Sequence, residues 1–339
     1  MSYRIGINGF GRVGRAFARC VWERELLCTS LDIVAVNDVW DAATLAHLLA
    51  FDSTYGRPGV RIHVDHDDIV VNDHRITVLG KRDAAELDWG ALGVDLVIES
   101  TGRLRTREAA AAHLKAGAKR VLISAPAKGP IDATLVPGVN ADGYDPIRHE
   151  IVSAASCTTN CVAPMAKVLQ DAFGIEYGFL TTVHAYTNDQ QLIDSPHKDL
   201  RRARSAAVNM IPTSTGAAKA VGLVLPELEG RLDGVAVRVP VEDGSLSDLT
   251  CLLSAPVTAA QINAAFETAA NSGPLAGILR YTEAPIVSRD VVGDPSSCVF
   301  DASLTQAAGR MVKVFGWYDN EWAYTNRLVD LTVAMAERS

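Results

Sequence analysis

The sequence predicts an α/β chain in which a domain on a mostly parallel sheet is followed by an α+β domain with a mainly antiparallel sheet. Three observations carry this. Apolar, strand-like runs alternate with helical patterns from residue 3 to residue 124. A G-x-G-x-x-G lies where the first of those strands meets the first helix. The second half holds several period-two strands with few helices between them. The chain has 339 residues and is 48% hydrophobic, enough to bury two cores.

Taken in order, residues 3–8 read as a short buried strand that runs into Gly9-Phe10-Gly11-Arg12-Val13-Gly14. A helical pattern follows through Ala16, Phe17, Cys20 and Val21, and a second strand over 31–36 ends in Asn37-Asp38. Glycines there let the backbone approach a pyrophosphate lying on the helix N-terminus. An acid about 20 residues further on accepts hydrogen bonds from an adenosine ribose and repels a 2′-phosphate. Gly9, Gly11 and Asp38 are therefore expected to bind NAD, in a Rossmann-type domain. Residues 42–50 read as helix, and period-two stretches over 60–79 as short antiparallel strands. An apolar strand over 94–99 leads to Ser100-Thr101-Gly102, then a helix over 107–116 and a strand over 120–124. Ligands of such sheets sit beyond the carboxyl ends of the strands, where Asp38, Ser124 and Cys157 all fall.

The stretch SAASCTTNCV, residues 153–162, sits between a short strand and a helical pattern. Cys157 is thus expected at a helix N-terminus, capped by Ser156, Thr158 and Thr159, where unpaired amides and the positive dipole end favour thiolate. Residues 177–184 read as a strand ending in His184, which a helix and a returning strand can bring back to Cys157. An imidazole there raises the thiolate fraction and moves protons.

A polar segment over 185–204 ends in a basic cluster that includes Arg201, Arg202 and Arg204. Together with the small-residue turn Ser214-Thr215-Gly216-Ala217-Ala218-Lys219, it suits phosphate. Over 235–240, Val235, Val237 and Val239 are expected in the core, with Arg238 on the other face, toward a cleft or solvent. Strands over 246–254 and 311–317, a capped helix from Thr258 and a final helix over 321–337 complete the chain.

A net charge of −8 argues against nucleic-acid and membrane-surface binding. No apolar run reaches the roughly 20 residues of a spanning helix. Six scattered cysteines without a C-x-x-C pair predict reduced thiols, a cytoplasmic protein and no metal site.

These residues occur within motifs that closely resemble phosphorylating glyceraldehyde-3-phosphate dehydrogenase. They are GINGFGRVGR from Gly6, ND at Asn37, SCTTNC from Ser156, HAYTNDQ from His184, STGAAKA from Ser214 and WYDNEW from Trp317. The resemblance implies that Cys157 is the nucleophile and His184 its base. It implies that Arg12, Val13, Asp38, Arg82, Ser124 and Asn320 contact NAD. Ser156, Thr158, Thr187, Arg202, Thr215, Gly216 and Arg238 would hold glyceraldehyde 3-phosphate and inorganic phosphate, with Arg204 as the fallback for Arg202. It further implies an NAD-binding domain over 1–156, a catalytic domain over 157–319, a terminal helix packed back on the first, and a homotetramer. Val39 after Asp38, and Ser195 before Pro196, stand where leucine is common; such changes accompany NADP use in some relatives, so dual use is the alternative expectation. Erythrose-4-phosphate dehydrogenase, the runner-up, lacks the STGAAK turn and the tyrosine of WYDNEW, both intact here. From other classes, a retired NAD-binding regulator would have lost Cys157 or His184, and a cysteine hydrolase would not need the glycines and Asp38.

Overall fold

The computed structural model describes residues 2–339. The chain forms two units. One takes the residues up to Leu135, then Gly143–Ala155 and Thr325–Ser339; the other takes Val136–Asp142 and Ser156–Tyr324. The second unit thus draws in 136–142, a stretch the sequence reading leaves in the first.

The first unit holds strands β1 (Tyr3–Asn8), β2 (Leu31–Asn37), β3 (Ile62–Asp65), β4 (Asp68–Val71), β5 (His74–Leu79), β6 (Leu96–Glu99), β7 (Arg120–Ile123), β8 (Ala133–Thr134) and β9 (Ile151–Ser153). They make one sheet in the order β3-β4-β5-β2-β1-β6-β7-β9-β8. Its helices are α1 (Arg12–Glu23), α2 (Ala42–Ala50) and α3 (Arg107–Lys115). Strand β1 pairs in parallel with β2 on one side and β6 on the other. The strand order therefore reverses at β1, which opens a crevice beyond its carboxyl end. Ile5, Ile7, Ile33 and Val97 are fully buried, as a sheet covered on both faces requires. The strands over 60–79 form as an antiparallel meander, and β5 then pairs in parallel with β2, so the meander extends the main sheet.

A buried polar chain underlies the carboxyl ends of these strands. Asn37 Nδ2 donates to Asn8 Oδ1 (2.8 Å), and Asn8 Nδ2 donates to Glu99 Oε2 (2.6 Å). His113 Nδ1 accepts from Trp89 Nε1 (3.1 Å), which leaves its proton on Nε2, 2.9 Å from the Glu99 carboxylate. The remaining Glu99 oxygen accepts from the Thr101 amide (2.9 Å). A carboxylate this enclosed is stable only with every lone pair engaged. It fixes the strand ends from which the crevice is built.

The second unit holds α4 (Cys157–Phe173), β10 (Ile175–Ala185), β11 (Ile211–Ser214), α5 (Ala217–Val224), β12 (Leu232–Val239), β13 (Ser245–Leu253), α6 (Ala259–Asn271), β14 (Leu279–Thr282), β15 (Cys298–Asp301), β16 (Gln306–Ala308) and β17 (Met311–Tyr318). Seven strands run β11-β12-β10-β13-β17-β15-β14, with β16 added on β17. Pairs β10–β12 and β14–β15 are parallel and the others antiparallel. The final helix α7 (Trp322–Glu337) belongs to the first unit from Thr325 onward. Strands β11, β14, β15 and β16 escape sequence reading because each is only three or four residues long. The reading of β12 is corrected by its pleat. Val235 is 51% exposed, whereas Leu232 and Ala236 are buried. Arg238, even-numbered like those two, shares the inner face, and the valines lie on the outer one.

Candidate active site

Within the first unit, a cleft of about 930 Å³ opens at the strand ends, lined by Gly9, Gly11, Asp38, Arg82, Thr101 and Leu104 among others. Gly9 has φ +91°, and a Cβ on it would lie 2.7 Å from the Thr101 nitrogen. A Cβ on Gly14 would lie 2.3 Å from the Gly9 carbonyl oxygen. A Cβ at Gly11 would meet nothing within 4 Å, so the turn presents bare backbone to the cleft. Gly11 is also the N-cap of α1 and offers no side-chain cap. That is the open helix start a pyrophosphate takes. Asp38 Oδ2 accepts from the Phe10 amide (2.8 Å) and Oδ1 from the Val39 amide (2.7 Å). These bonds anchor the carboxylate at the end of β2 beside the glycine turn. The residues present therefore fit a dinucleotide. Arg12, Val13 and Ser124 do not line the cleft; the Arg12 guanidinium reaches Asp52 (3.4 Å) and Thr54 (3.3 Å) instead. Asn320 lies in the second unit, where its Oδ1 accepts from Ser245 Oγ (2.5 Å).

In the second unit, Ser156 caps α4, its Oγ accepting from the Thr159 amide at 2.9 Å. Ala155, just before it, is in the left-handed region at φ 57°, a costly conformation for a residue with a side chain. Cys157 is the first residue of the helix and only half-buried. Strand β10 brings His184 to it, with Nε2 3.5 Å from the sulfur. The other ring nitrogen, Nδ1, lies 2.6 Å from an Arg238 N–H and 2.7 Å from the Ala185 carbonyl. A guanidinium can only donate. Nδ1 thus faces an obligate donor and an obligate acceptor at once: with Arg238 against it the lone pair meets the guanidinium and the ring proton is on Nε2, and with Arg238 drawn away Nδ1–H donates to the Ala185 carbonyl. The same guanidinium nitrogen also satisfies the Ala185 carbonyl (2.9 Å).

The electrostatics follow. Burial, with Arg238 beside it, pushes His184 down to about 3, so the ring is neutral at physiological pH. Burial pushes the Cys157 thiol up, while the positive charge of Arg238 and hydrogen bonds at the helix start pull it down. Loss of hydration at Cys157 therefore works against the pull of the helix start toward thiolate. His184 is thus the neutral partner of the pair. Replacing Arg238 by Gln is expected to raise the His184 pKa from about 3 toward its ordinary 6.5, and to raise the Cys157 thiol further. Imidazole ¹⁵N titration and the pH profile of iodoacetamide alkylation check this; unchanged profiles would refute the arrangement.

Arg238 Nε is buried with no protein acceptor, which is the state of a donor that suits an anion. Arg202 is more fully engaged, with Asp189, Thr213 Oγ1 (2.9 Å) and the Ser214 carbonyl (3.3 Å) as acceptors. Arg204 instead faces Asp194 at 2.9 Å on the exposed loop. The stretch expected as a small-residue turn is helical from Ala217, with Gly216 as N-cap and Thr215 Oγ1 accepting from the Ala217 amide (3.2 Å). Thr187 is half-buried and its amide donates to Gln190 Oε1 at 3.3 Å. The Thr158 hydroxyl is buried, 2.8 Å from the Tyr318 hydroxyl, which also lies 2.9 Å from Thr182 Oγ1. Tyr318 sets its ring edge-on to His184, with centroids 6.0 Å apart. Sequence reasoning had Tyr318 only as a motif letter; its place at the end of a strand beside the Asp319-Asn320 turn was the available signal.

A dinucleotide-fitting parallel sheet and a thiol–imidazole pair in one chain define the class of NAD-dependent oxidoreductases that work through a cysteine. Comparison with known proteins narrows this. Residues 3–107 match the family description "Glyceraldehyde 3-phosphate dehydrogenase, NAD binding domain", and residues 156–320 match its C-terminal domain. The chain is 58% identical over 334 residues to glyceraldehyde-3-phosphate dehydrogenase of Streptomyces coelicolor, covering 98% of each. It is 56% identical to that of Mycolicibacterium smegmatis, covering 100% of each, and 54% identical to that of Geobacillus stearothermophilus, covering 100% of this chain and 99% of the relative. The chain belongs to the glyceraldehyde-3-phosphate dehydrogenase family.

Proposed function

We propose that the protein oxidises D-glyceraldehyde 3-phosphate to 1,3-bisphosphoglycerate with NAD and inorganic phosphate, through a thioester on Cys157. The observation that carries this is the Cys157 sulfur at the start of α4, 3.5 Å from His184 Nε2, with Arg238 against the opposite ring nitrogen. The Cys157 sulfur bonds to the aldehyde carbon as its proton passes to His184 Nε2. That step needs the tautomer in which Nδ1–H donates to the Ala185 carbonyl, so Arg238 must leave Nδ1 first. A substrate or phosphate oxygen drawing Arg238 away frees the ring to act as base. The thiohemiacetal oxygen is then held by the Cys157 amide and the imidazolium, and one such donor contributes about 2.7–4 kcal/mol. NAD, when bound, supplies the hydride acceptor. As hydride leaves, the C–O bond becomes the carbonyl of a thioester. A phosphate oxygen attacks that carbon, the C–S bond breaks, and the leaving sulfur takes back the imidazolium proton, which restores the thiol and the neutral ring.

In this reading residues 1–156 serve NAD, with the helix over 320–339 belonging to that domain, and residues 157–319 serve the chemistry. Gly9, Gly11, Asp38 and Arg82, which line the cleft, bind NAD, and Arg12, Val13, Ser124 and Asn320 join them on the family resemblance alone. Ser156, Thr158, Thr187, Arg202, Thr215, Gly216 and Arg238 bind substrate and phosphate. For Thr158 the buried hydroxyl makes the backbone the group available. The protein works in the cytoplasm as a homo-oligomer, a tetramer by the family resemblance. Support comes from the outer face of the second sheet, where Tyr177, Phe179, Val235 and Met311 are 64, 71, 51 and 57% exposed. Strand register puts them on one side, and an apolar face of that kind marks an interface.

The test is NAD reduction with glyceraldehyde 3-phosphate, with and without inorganic phosphate, repeated with NADP and with erythrose 4-phosphate. Sustained turnover is expected only with phosphate, and kcat/KM is expected to favour NAD by at least about tenfold, a 1.4 kcal/mol preference for the Asp38 carboxylate to supply. Turnover independent of phosphate, or a better rate with erythrose 4-phosphate, overturns the reading.

A further inference from the structure

We propose a second, separate site in this protein: a divalent transition-metal site, of zinc type, formed by Cys28, Asp32 and His74. The three lie at the amino ends of β2 and β5, the opposite end of those strands from Asp38 and the cofactor cleft. One ligand atom from each can be drawn within 4.8 Å of the other two. The Cys28 sulfur is 3.3 Å from His74 Nδ1. A tetrahedral zinc ion, with Zn–S about 2.3 Å and Zn–N about 2.0 Å, holds sulfur and nitrogen about 3.5 Å apart.

The ring is already oriented for such a role. His74 Nε2 lies 2.8 Å from the Ile33 carbonyl, so the ring proton belongs there and the Nδ1 lone pair faces the sulfur. A backbone acceptor behind a histidine is the usual support of a metal-bound imidazole. Asp32 completes the set. Its Oδ2 accepts from Arg4 at 3.2 Å, while its Oδ1 is buried without a hydrogen-bond partner. His74 Nε2 is 3.4 Å from that oxygen, but its proton is committed to Ile33. An unpartnered carboxylate oxygen thus lies beside a thiol that hydrogen-bonds the imidazole lone pair, and loss of the thiol proton leaves three ligand atoms facing one another. A cation resolves that arrangement, and exposed Cys28 leaves room for water as the fourth ligand. Zinc suits the mixture of sulfur, nitrogen and oxygen. On binding, the Cys28 sulfur bonds to the metal and its proton goes to solvent. The site ties the turn before β2 to β5, and so braces the two strands whose far ends carry Asp38 and Arg82. Sequence spacing could not reveal it, because Cys28 and His74 are 46 residues apart and meet only through strand pairing.

The test uses the full chain carrying Cys157→Ser, so that the thiol–imidazole pair of the other unit does not contribute, with Co²⁺ and then Zn²⁺ as probes. One equivalent of Co²⁺ is expected to give a thiolate-to-cobalt charge-transfer band that Zn²⁺ abolishes, and Zn²⁺ is expected to raise the thermal midpoint. Adding Cys28→Ser should remove both effects while NAD binding persists; His74→Asn should do the same, and Asp32→Asn should weaken binding at least about tenfold. No band in the Cys157→Ser protein, or a band that survives Cys28→Ser, overturns the site. Exposed Cys28 makes that variant decisive even if His74→Asn fails to fold.

Discussion

Cys157→Ser is expected to lower NAD reduction with glyceraldehyde 3-phosphate by about 10⁴-fold or more, the scale on which losing a covalent nucleophile acts. The substitution exchanges one atom at the first residue of α4, and the Ser156 cap on the Thr159 amide is untouched, so the fold and the NAD cleft of the other unit should persist. The physical reason is leaving-group and nucleophile chemistry together. A hydroxyl is nearly un-ionised at neutral pH and, beside a His184 held neutral at about 3, gains no strong base in the resting state. The measurement pairs single-turnover NAD reduction with NAD binding by fluorescence quenching. Turnover within tenfold of the parent sinks the nucleophile assignment; loss of NAD binding would instead indicate misfolding.

His184→Asn is expected to cost about 10²–10⁴ in kcat/KM, the usual span for a positioned general base. It also has a stability signature that depends on pH. In the folded chain His184 is held at about 3, against an ordinary 6.5. Between those values the unfolded chain binds a proton that the folded chain refuses. Stability therefore falls as pH drops from about 6.5 toward 3 and is unaffected above 6.5. The Asn variant lacks this component, so its urea midpoint should change less than that of the parent between pH 7 and pH 5. Carboxylates common to both proteins cancel in the comparison. Equal pH slopes would show that His184 is not buried in neutral form.

Much of the first unit was legible in the residues. The run from Tyr3 to Asp38 shows a strand, a glycine turn, a helix and a strand ending in an acid, each enforced by local chemistry: glycine for positive φ at Gly9, apolar continuity for β1 and β2. The candidate nucleophile was legible for the same reason, because Ser156 as an N-cap and Cys157 behind it are a local signal. The second sheet was harder. Its added strands are short, β11 contains Pro212, and α5 begins in a stretch of small residues that reads equally well as a turn. The valines of β12 read as core because they alternate, yet Val235 is 51% exposed and Val237 and Val239 are only partly buried, while Arg238 takes the inner face, the cleft side of the two left open for it.

By itself the sequence determined the family and the two kinds of sheet, and it singled out the glycine turn with Asp38 and the cysteine at 157 as candidate sites. All of these rest on interactions within a few residues of one another or on motifs that keep their order along the chain. Only the tertiary structure decided what surrounds that thiol. Arg238 lies 54 residues from His184 and reaches it because β10 and β12 pair in parallel with those two residues in register. That contact competes with the Ala185 carbonyl for His184 Nδ1, and burial sets the direction in which both His184 and Cys157 shift. Protonation is a property of what surrounds a group, and the surroundings exist only once distant strands have come together.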